Sequence, residues 1–210
     1  MAAGETVDVR AEKRRVRRLA LAARRALPDR AARSRVIGAR LLASGVYRAA
    51  RTVLFYVALE EEVQTRECLA AALAEGKRVL VPYCLGDDLG LFHLHHLDEL
   101  EPRTFGILEP LEALRPAAER AVALAEVDLI VVPGVAFDEG GARLGWGRGY
   151  YDRLLRAAPA RAWRVALAFD CQVFPALPVQ PHDVRMDLVI AESATYRGPR
   201  RAGPSERAAP

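Results

Sequence analysis

The stretch TVLFYVALEEEVQTRECLAAALAEGKRVLVP, Thr52 to Pro82, decides the fold class of this 210-residue chain. It opens on Thr52–Val57, a run of β-branched and aromatic residues without polar alternation, the pattern of a strand buried on both faces. Residues 65–75 then follow a helical pattern closed by Gly76, and 78–82 return to a β-rich run. Strand, helix and strand in that order make a βαβ unit, whose two strands run parallel. Further β-rich runs fall at 91–95, 128–132, 164–169 and 186–191. The expectation is therefore an α/β fold, an open and mostly parallel Rossmann-like sheet with helices on both faces. Such sheets hold their ligands at the carboxyl ends of the strands.

Ahead of the sheet, helical patterning covers 10–27, breaks at Pro28-Asp29 and resumes over 30–44, with Asp29 as N-cap and Gly45 as stop. Val16, Leu19, Ala20, Ala23 and Leu27 recur at helical spacing, so one face of this arm is expected to pack on the domain. Residues 1–9 read as a flexible leader, 10–194 as a single domain, and 195–210, rich in Pro, Gly and Arg, as a disordered tail. Internal repeats are absent.

Composition excludes several classes. Hydrophobic residues make up 51% and charged residues 28%, ordinary values for a chain with one sizeable core. No apolar run approaches the roughly 18 residues that span a bilayer, and no secretory signal opens the chain. Cys68, Cys84 and Cys171 are odd in number and widely spaced, which fits free thiols and a cytoplasmic location. Residues 10–51 carry 14 Lys and Arg against two acids, +12 of a net charge of +4, which leaves −8 for the rest. The apolar face of the same segment argues for packing on the domain rather than for a nucleic-acid arm, so no nucleic-acid partner is expected.

The densest chemistry lies in Pro133–Leu155. An apolar run delivers the chain to Pro133-Gly134. Gly140-Gly141 and the alternating Gly145, Gly147 and Gly149 then alternate with Arg143, Arg148, Tyr150, Tyr151 and Asp152. Glycines tolerate positive φ and let backbone N–H groups converge on an anion, and arginines bind phosphate oxygens. The spacing is neither the dinucleotide fingerprint nor the Gly-Lys-Ser/Thr phosphate loop. Read alone, the glycines are equally the marks of turns, while a helix cap for Asp152 and a solvated helix face for Lys13 with Arg17 are the plainer alternatives to a functional role. His93, His95 and His96 lack a Cys or Glu at zinc-ligand spacing, and 96 points away from the face that 93 and 95 share. Beyond an enzyme with a phosphate site, the residues also admit a binding module of the same fold, or an enzyme for sugar phosphates or acyl-CoA.

Four ordered segments carry a resemblance over Lys13–Glu192. They are Glu62-Val63-Gln64-Thr65, Phe105–Pro110, Pro133–Asp138 with Arg143–Asp152, and Pro181-His182-Asp183-Val184. In these the chain resembles the 5-formyltetrahydrofolate cyclo-ligase family. The resemblance implies ATP- and Mg²⁺-dependent closure of 5-formyltetrahydrofolate to 5,10-methenyltetrahydrofolate, with ADP and phosphate released. Its partners would be two small molecules, ATP and a reduced folate, with no membrane involved and a monomer or weak homodimer as the assembly.

Residue roles follow from the same resemblance. Lys13, Arg17 and the run Arg143, Leu144, Gly145, Trp146, Gly147, Arg148, Gly149, Tyr150 and Tyr151 would bind ATP. Val57, Glu62, Phe105 and Trp146–Tyr150 would bind the folate, Glu62 by accepting hydrogen bonds from the pterin edge. Arg148 and Tyr151 would be catalytic, and Asp152 and Asp183 would hold Mg²⁺, the cofactor. The chain departs from the family at Glu60-Glu61, where a Pro-Gly-like turn is frequent, at Gln64, where an acid is common, and at Cys171, where Glu is frequent.

Overall fold

A computed structural model describes residues 8–103 and 106–200. Its frame is a seven-stranded sheet. In chain order the elements are helices α1 (Val9–Ala26), α2 (Arg30–Ala43) and α3 (Gly45–Ala49), strand β1 (Thr52–Leu54), α4 (Arg66–Ala74), and strands β2 (Arg78–Leu85), β3 (Asp88–Leu94), β4 (Leu100–Pro102), β5 (Leu108–Pro110), β6 (Leu129–Val132), β7 (Ala136–Asp138) and β8 (Arg143–Leu144). Helix α5 (Tyr150–Ala157) and strands β9 (Trp163–Leu167), β10 (Val173–Phe174), β11 (Leu188–Ile190) and β12 (Thr195–Arg197) complete the chain.

The sheet order is β12-β11-β9-β6-β1-β2-β3. The five inner strands run parallel, and β3 and β12 close the two edges antiparallel. Side chains alternate across it as strand geometry requires. Val53, Val79, Val81, Val131, Val165 and Leu188 join α2, α3 and α4 in one core. Leu54, Leu80, Ile130, Ala166 and Val189 meet α5 in a second, on the other face. A third, smaller cluster packs Val16 and Ala20 of α1 against Ala136 and Leu144. The α/β fold with helices on both faces is thus present.

Three local expectations are corrected, and a fourth, Asp29 as N-cap, is met without a side-chain bond. The first strand ends at Leu54 rather than Val57. Phe55 N–H still reaches Leu80 O at 2.9 Å, but the Tyr56 carbonyl accepts from the Thr65 hydroxyl at 2.8 Å, so the chain peels off the sheet there. Gly45 does not simply stop a helix; Ser44 accepts from Tyr47 N–H and caps a new short one. Asp29 takes the N-cap position in a left-handed conformation (φ 56°) without a side-chain cap bond. The disordered tail does not begin at 195, because Thr195–Arg197 pair with Leu188–Ile190 as an edge strand. Residues 1–7 of the expected leader, residues 201–210 of the expected tail and Phe105 lie outside the described residues.

The apolar stripe of α1 is also rotated from its expected position. Its buried residues are Lys13, Val16, Ala20 and Arg24, while Leu19 stays 49% exposed. A cation stands at each end of that stripe. Among the described residues no helix is long and apolar enough to cross a membrane.

Candidate active site

Strand order reverses at β1, where the chain moves outward to β2 and later returns to β6 on the other side. The carboxyl ends of β1 and β6 therefore diverge, and crevices at such switch points bind ligands. A cavity of about 470 Å³ opens here. Its inner wall comes from Tyr56, Val57, Leu59 and Glu62 after β1 and from Pro133 after β6. Pro82, Tyr83 and Cys84 of β2 form one side. Pro82 costs nothing there, because β1 has ended and no parallel neighbour needs its missing N–H. Gly90 on β3 lets the Tyr83 ring lie across it; any side chain at 90 would overlap that ring.

The other side is the segment Gly145–Asp152. Gly147 (φ 95°) and Gly149 (φ 76°) take the left-handed conformations that the glycine spacing anticipates, and Gly149 is the N-cap of α5. Asp152 is accordingly not the cap. It lies in the first turn and accepts from Arg143 Nη2 at 2.6 Å. Arg143 is buried, donates its other terminal nitrogen to Pro133 O at 3.2 Å, and stands 5.9 Å from the centre of the Tyr151 ring. The Tyr151 hydroxyl is buried without a hydrogen-bond partner, and burial pushes its pKa well up, so it remains a proton donor. Arg148 and Trp146 are exposed at the rim, and the Tyr150 hydroxyl donates to Gly86 O at 3.1 Å across the tip of the β2–β3 hairpin.

Glu62 and the glycine segment, 84 residues apart, meet inside this cavity. Trp146 Nε1 donates to Glu62 Oε1 at 3.3 Å, and Leu59 N–H donates to Oε2 at 3.1 Å. Glu62 is only 5% exposed. Burial raises its pKa above the usual carboxylate value, opposed by the Leu59 N–H, the Arg24 charge and the Trp146 donor. Gln64 donates to the carbonyls of Leu59 and Glu62 and closes this turn.

Other expected residues stand apart from the cavity wall. Arg17 Nε holds Gly145 O at 2.8 Å from the outer side of the segment. Lys13 Nζ meets Asp183 Oδ2 at 2.5 Å, and Gln180 N–H donates to the same oxygen at 2.7 Å. Leu144 points to the opposite side of β8 from Arg143, into the third core cluster. Among the described residues, no three His, Cys, Asp or Glu side chains gather as a ready-made cation site. Asp152 and Asp183 are nevertheless hard oxygen donors. Such a sparse set suits Mg²⁺, which takes one or two carboxylates and completes its shell from water and nucleotide phosphates. His95 Nε2 lies 3.2 Å from His93 Nδ1, remote from the cavity wall.

Sequence reasoning missed Tyr56, Tyr83, Cys84, Leu89 and Glu109 in the wall. Glu109 lies in the Phe105–Pro110 segment that carries the resemblance; the other four have no sequence signal but position, at or just beyond the carboxyl ends of β1 and β2 or on β3, which folds back beside them.

A parallel sheet, a cavity at its switch point and an arginine-glycine segment beside it define an α/β protein built to hold a small molecule at the strand ends. The model of the 5-formyltetrahydrofolate cyclo-ligase family matches residues 9–192. The 5-formyltetrahydrofolate cyclo-ligase of Mycolicibacterium smegmatis is 34% identical over 183 residues, covering 85% of this chain and 92% of that one. The Mus musculus 5-formyltetrahydrofolate cyclo-ligase is 29% identical over 175 residues, 79% and 85% of the two chains. The solved structure of Aquifex aeolicus 5,10-methenyltetrahydrofolate synthetase superposes with a TM-score of 0.76 at 32% identity, over 91% of this chain and 94% of that one. The chain belongs to the 5-formyltetrahydrofolate cyclo-ligase family and is an enzyme of the ligase class.

Proposed function

We propose that this chain converts 5-formyltetrahydrofolate to 5,10-methenyltetrahydrofolate, consuming ATP with Mg²⁺ and releasing ADP and phosphate. The observation that carries the reading is the meeting of Glu62 with Trp146 in one cavity, which sets a folate-type carboxylate beside a phosphate-type segment. The formyl group on N5 is an amide, and its oxygen leaves poorly. When that oxygen attacks the γ-phosphorus, ADP departs and the oxygen becomes part of a phosphate ester. N10 then adds to the formyl carbon, phosphate leaves with the C–O bond pair, and N10 loses its proton. No protein nucleophile is needed; positioning and charge stabilisation suffice.

The resemblance assigns the roles, and the cavity lining by Val57, Glu62 and Gly145–Asp152 supports those of these residues. Glu62 accepts from the pterin 2-amino group and adjacent ring N–H, while Val57 and Trp146 supply apolar contact. The backbone of Gly145–Gly149 and the guanidinium of Arg148 receive the phosphates, and the Tyr151 hydroxyl donates to the transferring phosphoryl group. Lys13 and Arg17 reach ATP from α1. Asp152 and Asp183 would hold Mg²⁺, which when bound neutralises phosphate charge. The test is absorbance of the methenyl product in the near ultraviolet with purified protein, both substrates and Mg²⁺. Product that requires ATP and Mg²⁺ together supports the reading; folded protein that binds ATP but makes none overturns it.

A further inference from the structure

Arg24 is 1% exposed at the last turn of α1, and none of its three side-chain nitrogens has a hydrogen-bond partner. A buried guanidinium without such bonds costs several kcal/mol unless nearby charge compensates it. Its surroundings are specific. Nη2 lies 3.5 Å from Glu61 Oε2, the guanidinium carbon lies 5.4 Å from the centre of the Trp146 indole, and the side chain shares a small crevice with Glu62, Tyr56 and Gln172. None of the roles assigned above uses it.

We propose that Arg24 is a positioning residue of this site: its guanidinium, buried behind Glu62 and against the face of Trp146, holds these two groups in the arrangement that meets the substrate. This rests on the proposed folate role of Glu62. The carboxylate is nearly buried, so an uncompensated charge there would be lost to protonation. Arg24 supplies the compensation without occupying either oxygen by a hydrogen bond. Its contact with the indole is of the cation–π kind, and it fixes the ring whose N–H donates to Glu62. The other charged or titratable groups facing Glu62 are Glu61 beside it, Tyr56 from the end of β1 and Tyr151 from α5. Glu61 opposes ionisation of Glu62, Arg24 favours it, and both phenols stay neutral through the working pH range.

The test uses Trp146 itself. The chain has two tryptophans, so W163F leaves Trp146 as the sole indole reporter, and its emission against pH in the free protein reads the titration of its partner Glu62. In that background R24M is expected to move the midpoint to higher pH and E61Q to lower pH, opposite directions from one mechanism. In the active enzyme the acid limb of kcat/KM for folate moves with them. At neutral pH R24M raises the folate KM about tenfold or more, the scale of one lost charge-assisted contact, and the ATP KM stays within about twofold. R24K restores part of the folate KM.

Coincident midpoints in wild type and R24M, or an E61Q midpoint that stays or rises, overturn the proposal. Equal rises of both KM values at every pH also overturn it, because they mark a structural role only. If R24M does not fold, R24Q, which keeps a polar but neutral head in the same crevice, must show the same shift to higher pH, and a midpoint that stays overturns the proposal. Midpoints that shift as expected in a protein that makes no methenyl product leave Arg24 as the support of Glu62 and remove only the folate reading.

Discussion

Lys13 Nζ and Asp183 Oδ2 lie 2.5 Å apart, joining residues separated by 170 positions. The pair binds the first helix to the loop before β11. Asp183 is also the acceptor for Gln180 N–H, so the contact closes a turn as well as bridging two elements. One partner is the proposed ATP contact and the other a proposed Mg²⁺ ligand. Nucleotide and metal would therefore enter by exchanging partners with an existing ion pair.

The pair makes a pH prediction. Burial alone would raise the Asp183 pKa, but the Lys13 hydrogen bond, the Gln180 N–H and the neighbouring charges lower it below the usual aspartate value. A depressed carboxylate contributes stability that is present above its unfolded pKa and lost as pH falls through the folded one. D183N should therefore unfold more easily than wild type at neutral pH, by about 1–3 kcal/mol, the range of a lost charge-assisted hydrogen bond. The difference should begin to shrink below about pH 4, the ordinary aspartate range, and vanish only once pH has fallen through the lower folded value. Urea unfolding of both proteins across pH checks it; a gap that persists in acid means another role for Asp183.

Asp152 and Glu62 should separate cleanly by kinetics. D152N should cut turnover and weaken Mg²⁺-dependent ATP binding. It should also cost about 1–3 kcal/mol of stability, because buried Arg143 loses its charged partner. E62Q should raise the folate KM far more than the ATP KM. Initial rates at limiting Mg²⁺, ATP and folate, with a melting curve for each variant, read all of these. Full D152N activity at limiting Mg²⁺ would confine Asp152 to its pairing with Arg143.

Cys84 stands at the cavity wall, exposed, with its thiol pushed up by burial of its inner side and by its hydrogen bond to Glu109. The thiolate is the form that reacts. Alkylation of Cys84 should therefore be slow at neutral pH and rise only in alkali, and bound substrates should protect it. Peptide mass spectrometry distinguishes it from Cys68, which is buried and pushed up to about 11. Fast labelling at neutral pH, indifferent to substrate, would contradict this placement.

Gly90 tests the shape of the cavity. In G90A the new methyl overlaps the Tyr83 ring, which must swing away from its place on the wall. Overpacking of this kind costs about 1–3 kcal/mol. The expected result is a modest loss of melting temperature and a clear rise in substrate KM. The double variant G90A/Y83A should recover the stability but not the KM.

The fold was largely legible because the signals that specify it are local. The run at 52–57 announces a buried strand through its own residues, and the βαβ unit follows from spacing and Gly76. The limits of those elements were not local. Tyr56 leaves the sheet because Thr65 takes its carbonyl. Thr195–Arg197 form a strand only because Leu188–Ile190 present an open edge to them. The arm departs from its periodicity for a related reason: a helical wheel assigns Leu19 inward, but the partners across α1 favour the stripe that ends on Lys13 and Arg24.

The sequence by itself determined that this is an α/β domain of the 5-formyltetrahydrofolate cyclo-ligase family, with an arginine-glycine segment at a strand's carboxyl end. The fold class rests on periodicity acting over a few residues, and the family on four motifs in a fixed order. Tertiary structure alone decided which polar groups meet: Arg143 with Asp152, Lys13 with Asp183, Trp146 with Glu62, and Arg24 with Glu61 at 3.5 Å but without a hydrogen bond. Those choices depend on crossovers that bring distant segments to one end of the sheet. Burial there makes each unpaired polar group costly, so partners are selected by geometry rather than by neighbourhood in the chain.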